Sequence, residues 1–250
     1  MVSLDRIIRI TLGLFMIILI IFSSVISYQM YVEHTYRASL NSTYSYACTV
    51  TTSSTISNVT FFIPVPADIR GNSPVVERFS TRDIGGLPDD WTVTLFDTGK
   101  ATMVRITTPG IVPPPETSRE KPFSISLSSE LPSGTLIDTR EPVANSALFR
   151  PVRDVREVSC PPDNSGLPGT PRCYHYNTSL YADFRASPDT QVSVISSITG
   201  RNRWKIFEPG SNEYTSRISL EMVGEKHGWE TVSGFLRNNT GKYDAPIISP

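Results

Sequence analysis

The sequence predicts an all-β, antiparallel, sandwich-like extracytoplasmic domain preceded by a single N-terminal transmembrane helix. Three observations predict it. An uncharged apolar run separates Arg9 from Glu33 near the N-terminus. Beyond it, runs rich in β-branched and aromatic residues alternate apolar with polar positions, the period of a half-buried strand. Clusters of Pro, Gly, Asn and Asp stand between those runs and break them. Ser and Thr make up about a fifth of the 250 residues, and the 20 prolines exceed average usage while the 15 glycines do not.

The run "IIRITLGLFMIILIIFSSVISYQMYV" spans residues 7–32. As a helix, the interval between Arg9 and Glu33 reaches roughly 35 Å, enough for a hydrocarbon core of about 30 Å. Tyr28 and Tyr31 stand where an interfacial aromatic belt is expected. Arg6 and Arg9 flank its N-terminal side, and the positive-inside bias then keeps the N-terminus cytoplasmic and exports the rest. The expected division is a cytoplasmic N-terminus over 1–9, a signal-anchor over 10–32 and a β domain over 33–250, with a subdivision near 150 as the alternative. A cleaved signal peptide is the competing reading of the run. Its short apolar centre would be Leu12 to Phe22, with Val25 and Ser27 before the cut. Val-Ile-Ser imitates Ala-x-Ala poorly, and the apolar character continues to Val32, which favours a retained anchor.

The strands follow in order. "YRASLNSTYSYACTV" (36–50) places Tyr44, Tyr46, Cys48 and Val50 on one face and mostly polar residues on the other. "TISNVTFFIPVP" has strand composition and stops at Pro64 and Pro66. "WTVTLFDTGKATMVRITTP" reads as a hairpin around Asp97 to Lys100. "PGIVPPPETSREKP" (109–122) is a proline-rich loop, and "KPFSISLSSELP" alternates again. Residues 131–173 are turn-rich. "YHYNTSLYADF", "TQVSVISSI", the hairpin of "RWKIF" and "YTSRISLEMV", and "WETVSGFL" complete the set. Turns at such intervals point to a sandwich or barrel.

The cysteines and acceptor triplets bear on compartment. Cys160 and Cys173 enclose a loop of Pro, Gly, Asn and Asp with little apolar content. A disulfide between them stabilises such a loop by restricting the unfolded chain, and an oxidising exterior permits it. Cys48 falls on the apolar face of its strand and reads as a small buried hydrophobe. Asn41, Asn58, Asn177 and Asn238 each begin an Asn-x-Ser/Thr triplet and are candidate N-glycosylation sites. Asn41 is expected on a polar strand face and Asn238 in a turn, both accessible.

Candidate chemistry is sparse. The net charge is −1 and there is no basic stripe, so no nucleic-acid partner is expected. His34, His175 and His227 are scattered and read as exposed loop residues, no spacing suggests a metal or cofactor site, and Trp91, Trp204 and Trp229 read as core. One stretch looks catalytic: Asp97-Thr98-Gly99 after Leu95 and Phe96 resembles the aspartic-protease signature. Gly200-Arg201-Asn202, after Ile198 and Thr199, resembles a later segment of retroviral-type members. That resemblance implies a pair of aspartates sharing a proton, with Asp138 in Leu136 to Thr139 as the second arm. The departures are Lys100 after the glycine and Arg140 where a second glycine belongs. The same tripeptide is an ordinary hairpin turn, which is the preferred reading.

The expected function is therefore a membrane-anchored cell-surface module with a non-enzymatic binding, adhesion or envelope-structure role. Its expected partners are the membrane, through the helix, and a surface protein or glycan. The alternatives are an anchored subunit of a larger surface apparatus and, less favoured, an aspartic hydrolase using Asp97-Thr98-Gly99.

Overall fold

A computed structural model describes residues 4–99, 101–161 and 171–239. The elements in chain order are α1 (Leu4–Ser39), β1 (Asn41–Thr52), β2 (Ile56–Pro64), β3 (Pro66–Ala67), α2 (Val76–Thr81), β4 (Thr92–Asp97) and β5 (Thr102–Ile111). There follow β6 (Phe123–Ser133), α3 (Pro142–Asn145), β7 (Leu148–Phe149), β8 (Arg153–Val158), β9 (Arg172–Arg185), β10 (Gln191–Lys205), β11 (Pro209–Val223) and β12 (Lys226–Asn239).

The fold is mostly antiparallel β behind one apolar helix. Its residues 7–39 are long and apolar enough to cross a membrane, and none of its most apolar eighteen-residue window is buried in the protein. The strands do not divide into the two facing sheets of a sandwich. They form one curled, ten-stranded sheet in the order β4-β5-β2-β9-β12-β11-β10-β1-β6, with β8 on β9 as the tenth. The reason is strand length. β9 to β12 run 14 or 15 residues each, well above the usual five or six. Long strands accumulate twist, and a strongly twisted sheet of this width curls.

Strands from either side of residue 150 interleave. β9 takes β2 and β8 on one edge and β12 on the other, while β10 pairs β1. Curling brings the last strand near the start of the path: Gly85, between α2 and β4, exchanges backbone hydrogen bonds with Ser128 of β6. β3 and β7 form a separate two-stranded ladder.

Alternation decides what the sheet encloses. In β1, Tyr46, Cys48 and Val50 point inward, joined by Val59, Phe61 and Ile63 of β2 and by Ile198, Tyr214, Ile218, Val232 and Leu236. Phe79 of α2, Trp91 and Phe149 fill the remaining space in the same cluster. Glycines make room for two buried tyrosine rings. Gly200 lies opposite Tyr214 and Gly234 opposite Tyr176, and a Cβ on either glycine would overlap the facing ring. Their hydroxyls are satisfied at Ala147 O (2.9 Å) and Ser216 Oγ (2.7 Å) respectively.

A buried polar knot ties β10 to its neighbours. Asn202 Oδ1 accepts from Ser42 Oγ (2.7 Å) and Ile137 N (3.0 Å), while its Nδ2 donates to Ile137 O (2.8 Å) and Asn212 Oδ1 (2.7 Å). The segment that resembles a protease motif in sequence is thus a structural junction.

Candidate functional site

The outer face of the sheet carries a patch that its alternation should have made polar. In β2 the odd positions Phe61 and Ile63 go inward, so Phe62 faces out. Across the sheet Phe62 lies opposite Arg105 of β5 and opposite Tyr181 of β9, and Tyr181 lies opposite Trp229 of β12. Phe96 of β4 completes the group. Five adjacent strands contribute, so the patch spans about 19 Å across the sheet at the usual strand spacing.

The rings touch in a mosaic. Phe62 meets Phe96, Tyr181 and Trp229 at centroid distances of 5.5, 5.2 and 6.2 Å, and Tyr181 meets Trp229 at 5.5 Å. Neighbouring rings stand edge to face, at 61° for Phe62–Phe96, 78° for Phe62–Tyr181 and 68° for Tyr181–Trp229. The Arg105 guanidinium lies 5.8 Å from the Phe62 ring centre, within cation–π range. Trp229 remains 55% exposed and Phe96 47%. At one rim His227 Nδ1 lies 2.6 Å from Asp183 Oδ1, and Tyr181 OH donates to Asp183 Oδ2 at 3.4 Å. Lys226 pairs with Glu230 at 3.4 Å.

Sequence reasoning misplaced this site by reading all three tryptophans as core. Trp91 and Trp204 are buried, but Trp229 is not. The signal was parity: Val232, Gly234 and Leu236 of β12 point inward, so position 229 must point out. The same parity corrects Asn238. It lies in β12 rather than in a turn, fully buried, with Nδ2 donating to Arg140 O (2.7 Å) and Oδ1 accepting from Arg172 N (2.9 Å). Thr240 of its triplet lies outside the described residues.

The other acceptor asparagines are more open. Asn41 is exposed at the start of β1. Asn58 is exposed at a positive φ of 55°, beside a register shift in β2. Asn177 is half-buried and donates to Asp154 Oδ2 at 3.0 Å. The histidines are not loop residues: His34 is in α1, His175 in β9 and His227 in β12.

The Cys160–Cys173 disulfide is present, with Cα atoms 5.2 Å apart, and fastens the end of β8 to the start of β9. Residues 162–170 of its loop lie outside the described residues. Cys48 is free and buried; burial pushes its thiol up to about 12, despite hydrogen bonds with Tyr46 and Ser196.

Asp97 ends β4 on an exposed hairpin. Its Oδ1 accepts from Gly99 N (2.8 Å), Gly99 has φ 73°, and Thr98 N donates to Ala101 O (3.1 Å). Lys100 lies outside the described residues. Asp138 occupies a different turn, where Oδ1 accepts from Arg140 N (2.9 Å) and Glu141 N (3.1 Å). It lines an open groove of about 590 Å³ with Asp68 and Tyr44, and Asp97 does not. Slight burial pushes the Asp68 carboxyl up, but hydrogen bonds from Asn72 and Arg70 outweigh it and hold it below the usual range. Among the described residues no group of three or more His, Cys, Asp or Glu is placed to hold a metal.

Comparison with known proteins finds no family model that matches the chain, no similar curated protein and no similar solved structure.

Proposed function

We propose that the chain is a membrane-anchored, non-enzymatic binding module of the cell surface, engaging another surface protein through the aromatic face of β4, β5, β2, β9 and β12. In this reading α1 is retained as an anchor and the β domain lies outside the cytoplasm. The helix's length and apolarity support the anchor. The disulfide supports an oxidising compartment.

The observation that carries the reading is the mutually packed outer-face cluster beside Arg105, in which Phe96 and Trp229 are exposed and Phe62 and Tyr181 half-buried. Tyr, Trp and Arg are the side chains that dominate protein–protein binding energy when a partner excludes water from them. A contiguous exposed aromatic patch on a soluble face otherwise favours nonspecific association. Edge-to-face packing pre-orders the rings, so little side-chain entropy is lost on contact. It also gives a ridged surface suited to protein side chains, where a sugar ring would need a flat aromatic face. The patch sits far from the anchor: Tyr181 is nine residues beyond Arg172, about 30 Å along β9.

The test is recovery of partners with the full-length protein from native membranes in mild detergent. Trp229→Ala and Phe96→Ala should lose a partner that the parent protein and Val112→Ala retain, with melting temperature and membrane fraction unchanged. Equal recovery by all four proteins would contradict the reading. Retention on immobilised glycans that depends on Trp229 would replace the protein partner with a sugar.

A further inference from the structure

We infer that the tip of the β10–β11 hairpin, led by Phe207, is a second membrane contact. It seats at the lipid headgroup–acyl boundary and holds the β domain at a fixed height and tilt above the bilayer. This rests on α1 spanning the membrane.

The joint between helix and domain leaves no linker to act as a hinge. α1 ends at Ser39 and β1 begins at Asn41, with only Leu40 between them. Ser39 Oγ bonds both the carbonyl and the amide of Lys205, each at 3.0 Å. Tyr36 packs edge-on against Trp204, with ring centres 5.7 Å apart, and Val32 is 5% exposed. The last turns of α1 are therefore docked on the end of β10, and the direction of the helix fixes the direction of the hairpin.

The hairpin then meets the helix again, lower down. Phe207 stacks on Tyr28 at 6.4 Å with ring planes 10° apart, and lies 6.4 Å from Tyr31. All three rings remain open on their outer sides: Phe207 is 63% exposed, Tyr28 59% and Tyr31 57%. A hydrocarbon core of about 30 Å takes roughly 20 helical residues. Counted from Arg9, the last charge before the apolar run, that core ends near Tyr28 and Tyr31. Phe207 is at the same level by direct contact, so it reaches the same boundary.

Aromatic rings are favoured at that depth, where the apolar body is buried and polar groups nearby stay wet. The hairpin's charges suit the arrangement. Arg203, Lys205 and Glu208 are exposed around the tip and bracket Phe207 without entering the apolar zone. Two anchors a few ångströms apart, one a helix and one a hairpin, restrict rotation of the domain about the helix axis. The aromatic face on the far half of β9 and β12 is then presented in one orientation.

The experiment uses the full chain in phosphatidylcholine liposomes, with an environment-sensitive fluorophore attached at a single cysteine and a nitroxide quencher in the lipid. Phe207→Cys, Tyr28→Cys and Val112→Cys are compared. Val112 is 76% exposed just past the end of β5, at the opposite end of the sheet. Buried Cys48 stays unlabelled in the folded protein. Quenching at 28 and at 207, with none at 112, is the expected result. Quenching at 28 alone would overturn the hairpin contact while leaving the anchor standing. No quenching at any site would overturn the membrane-spanning reading and the hairpin contact together. Quenching at all three would overturn the fixed orientation, since the domain would then lie flat on the lipid.

Discussion

Asn202 Nδ2 donates to Asn212 Oδ1 at 2.7 Å, joining the two strands of the β10–β11 hairpin inside the protein, and both residues are almost wholly buried. Because the other three bonds of the Asn202 amide go to Ser42 and Ile137, its removal orphans several buried groups at once. Each such group costs about 1–3 kcal/mol. Asn202→Ala should lower the unfolding free energy by at least about 2 kcal/mol in urea. Asn41→Ala, on the exposed end of β1, should change it by no more than about 0.5 kcal/mol.

The facing pair Gly234 and Tyr176 gives a second test. A Cβ at 234 has no room beside the ring, so Gly234→Ala should cost about 1–3 kcal/mol through overpacking. In a double-mutant cycle with Tyr176→Ala, the two losses should add to more than the double mutant shows, because the second change removes the clash. Strict additivity would mean the ring does not cover the glycine.

The hairpin around Asp97 separates a turn from a catalytic site. Asp97→Asn keeps an acceptor for Gly99 N and should shift stability by no more than about 0.5 kcal/mol. Gly99→Val places a branched side chain at φ 73° and should cost about 1 kcal/mol or more. Peptide cleavage by the parent protein that disappears in Asp97→Asn would revive the hydrolase.

Much of the fold was legible because its cause is local. Alternation identified β1 and β6, strand composition and turn signals identified β2 and the later strands, and Asp-Thr-Gly identified its hairpin. The loop composition between Cys160 and Cys173 identified the disulfide. The pairing of distant strands was not legible: nothing near β9 tells it to sit between β2 and β12, since its partner in β2 lies more than a hundred residues away and β12 comes only after two intervening strands. The aromatic face was half legible. Parity along β12 points Trp229 outward and Asn238 inward, but the meeting of Phe62, Tyr181 and Trp229 follows only from strand order.

Alkaline pH should weaken the domain. Burial raises the Cys48 thiol to about 12 and the Tyr46, Tyr176 and Tyr214 hydroxyls above their ordinary value of 10.0. Raised groups hold their protons more tightly folded than unfolded, so their contribution is intact below the unfolded values, near 9 for the thiol and 10 for the hydroxyls. It is lost as pH rises through the folded values. The melting temperature should therefore fall above about pH 9, with Cys48→Ala showing a shallower decline at the start of that range. Alkylation of Cys48 should require unfolding, and peptide mapping without reductant should recover Cys160 joined to Cys173.

The most direct test of an outward-facing, partner-binding module is photo-crosslinking in intact cells. A photoreactive phenylalanine analogue replaces Trp229 in one protein and Val112 in another, with a membrane-impermeant protease added afterwards. Position 229 should give a discrete adduct to one protein, position 112 none, and the protease should remove both the β domain and the adduct. An adduct that survives the protease would contradict the topology, and equal labelling at 229 and 112, or none at 229, would contradict the aromatic face as the binding surface.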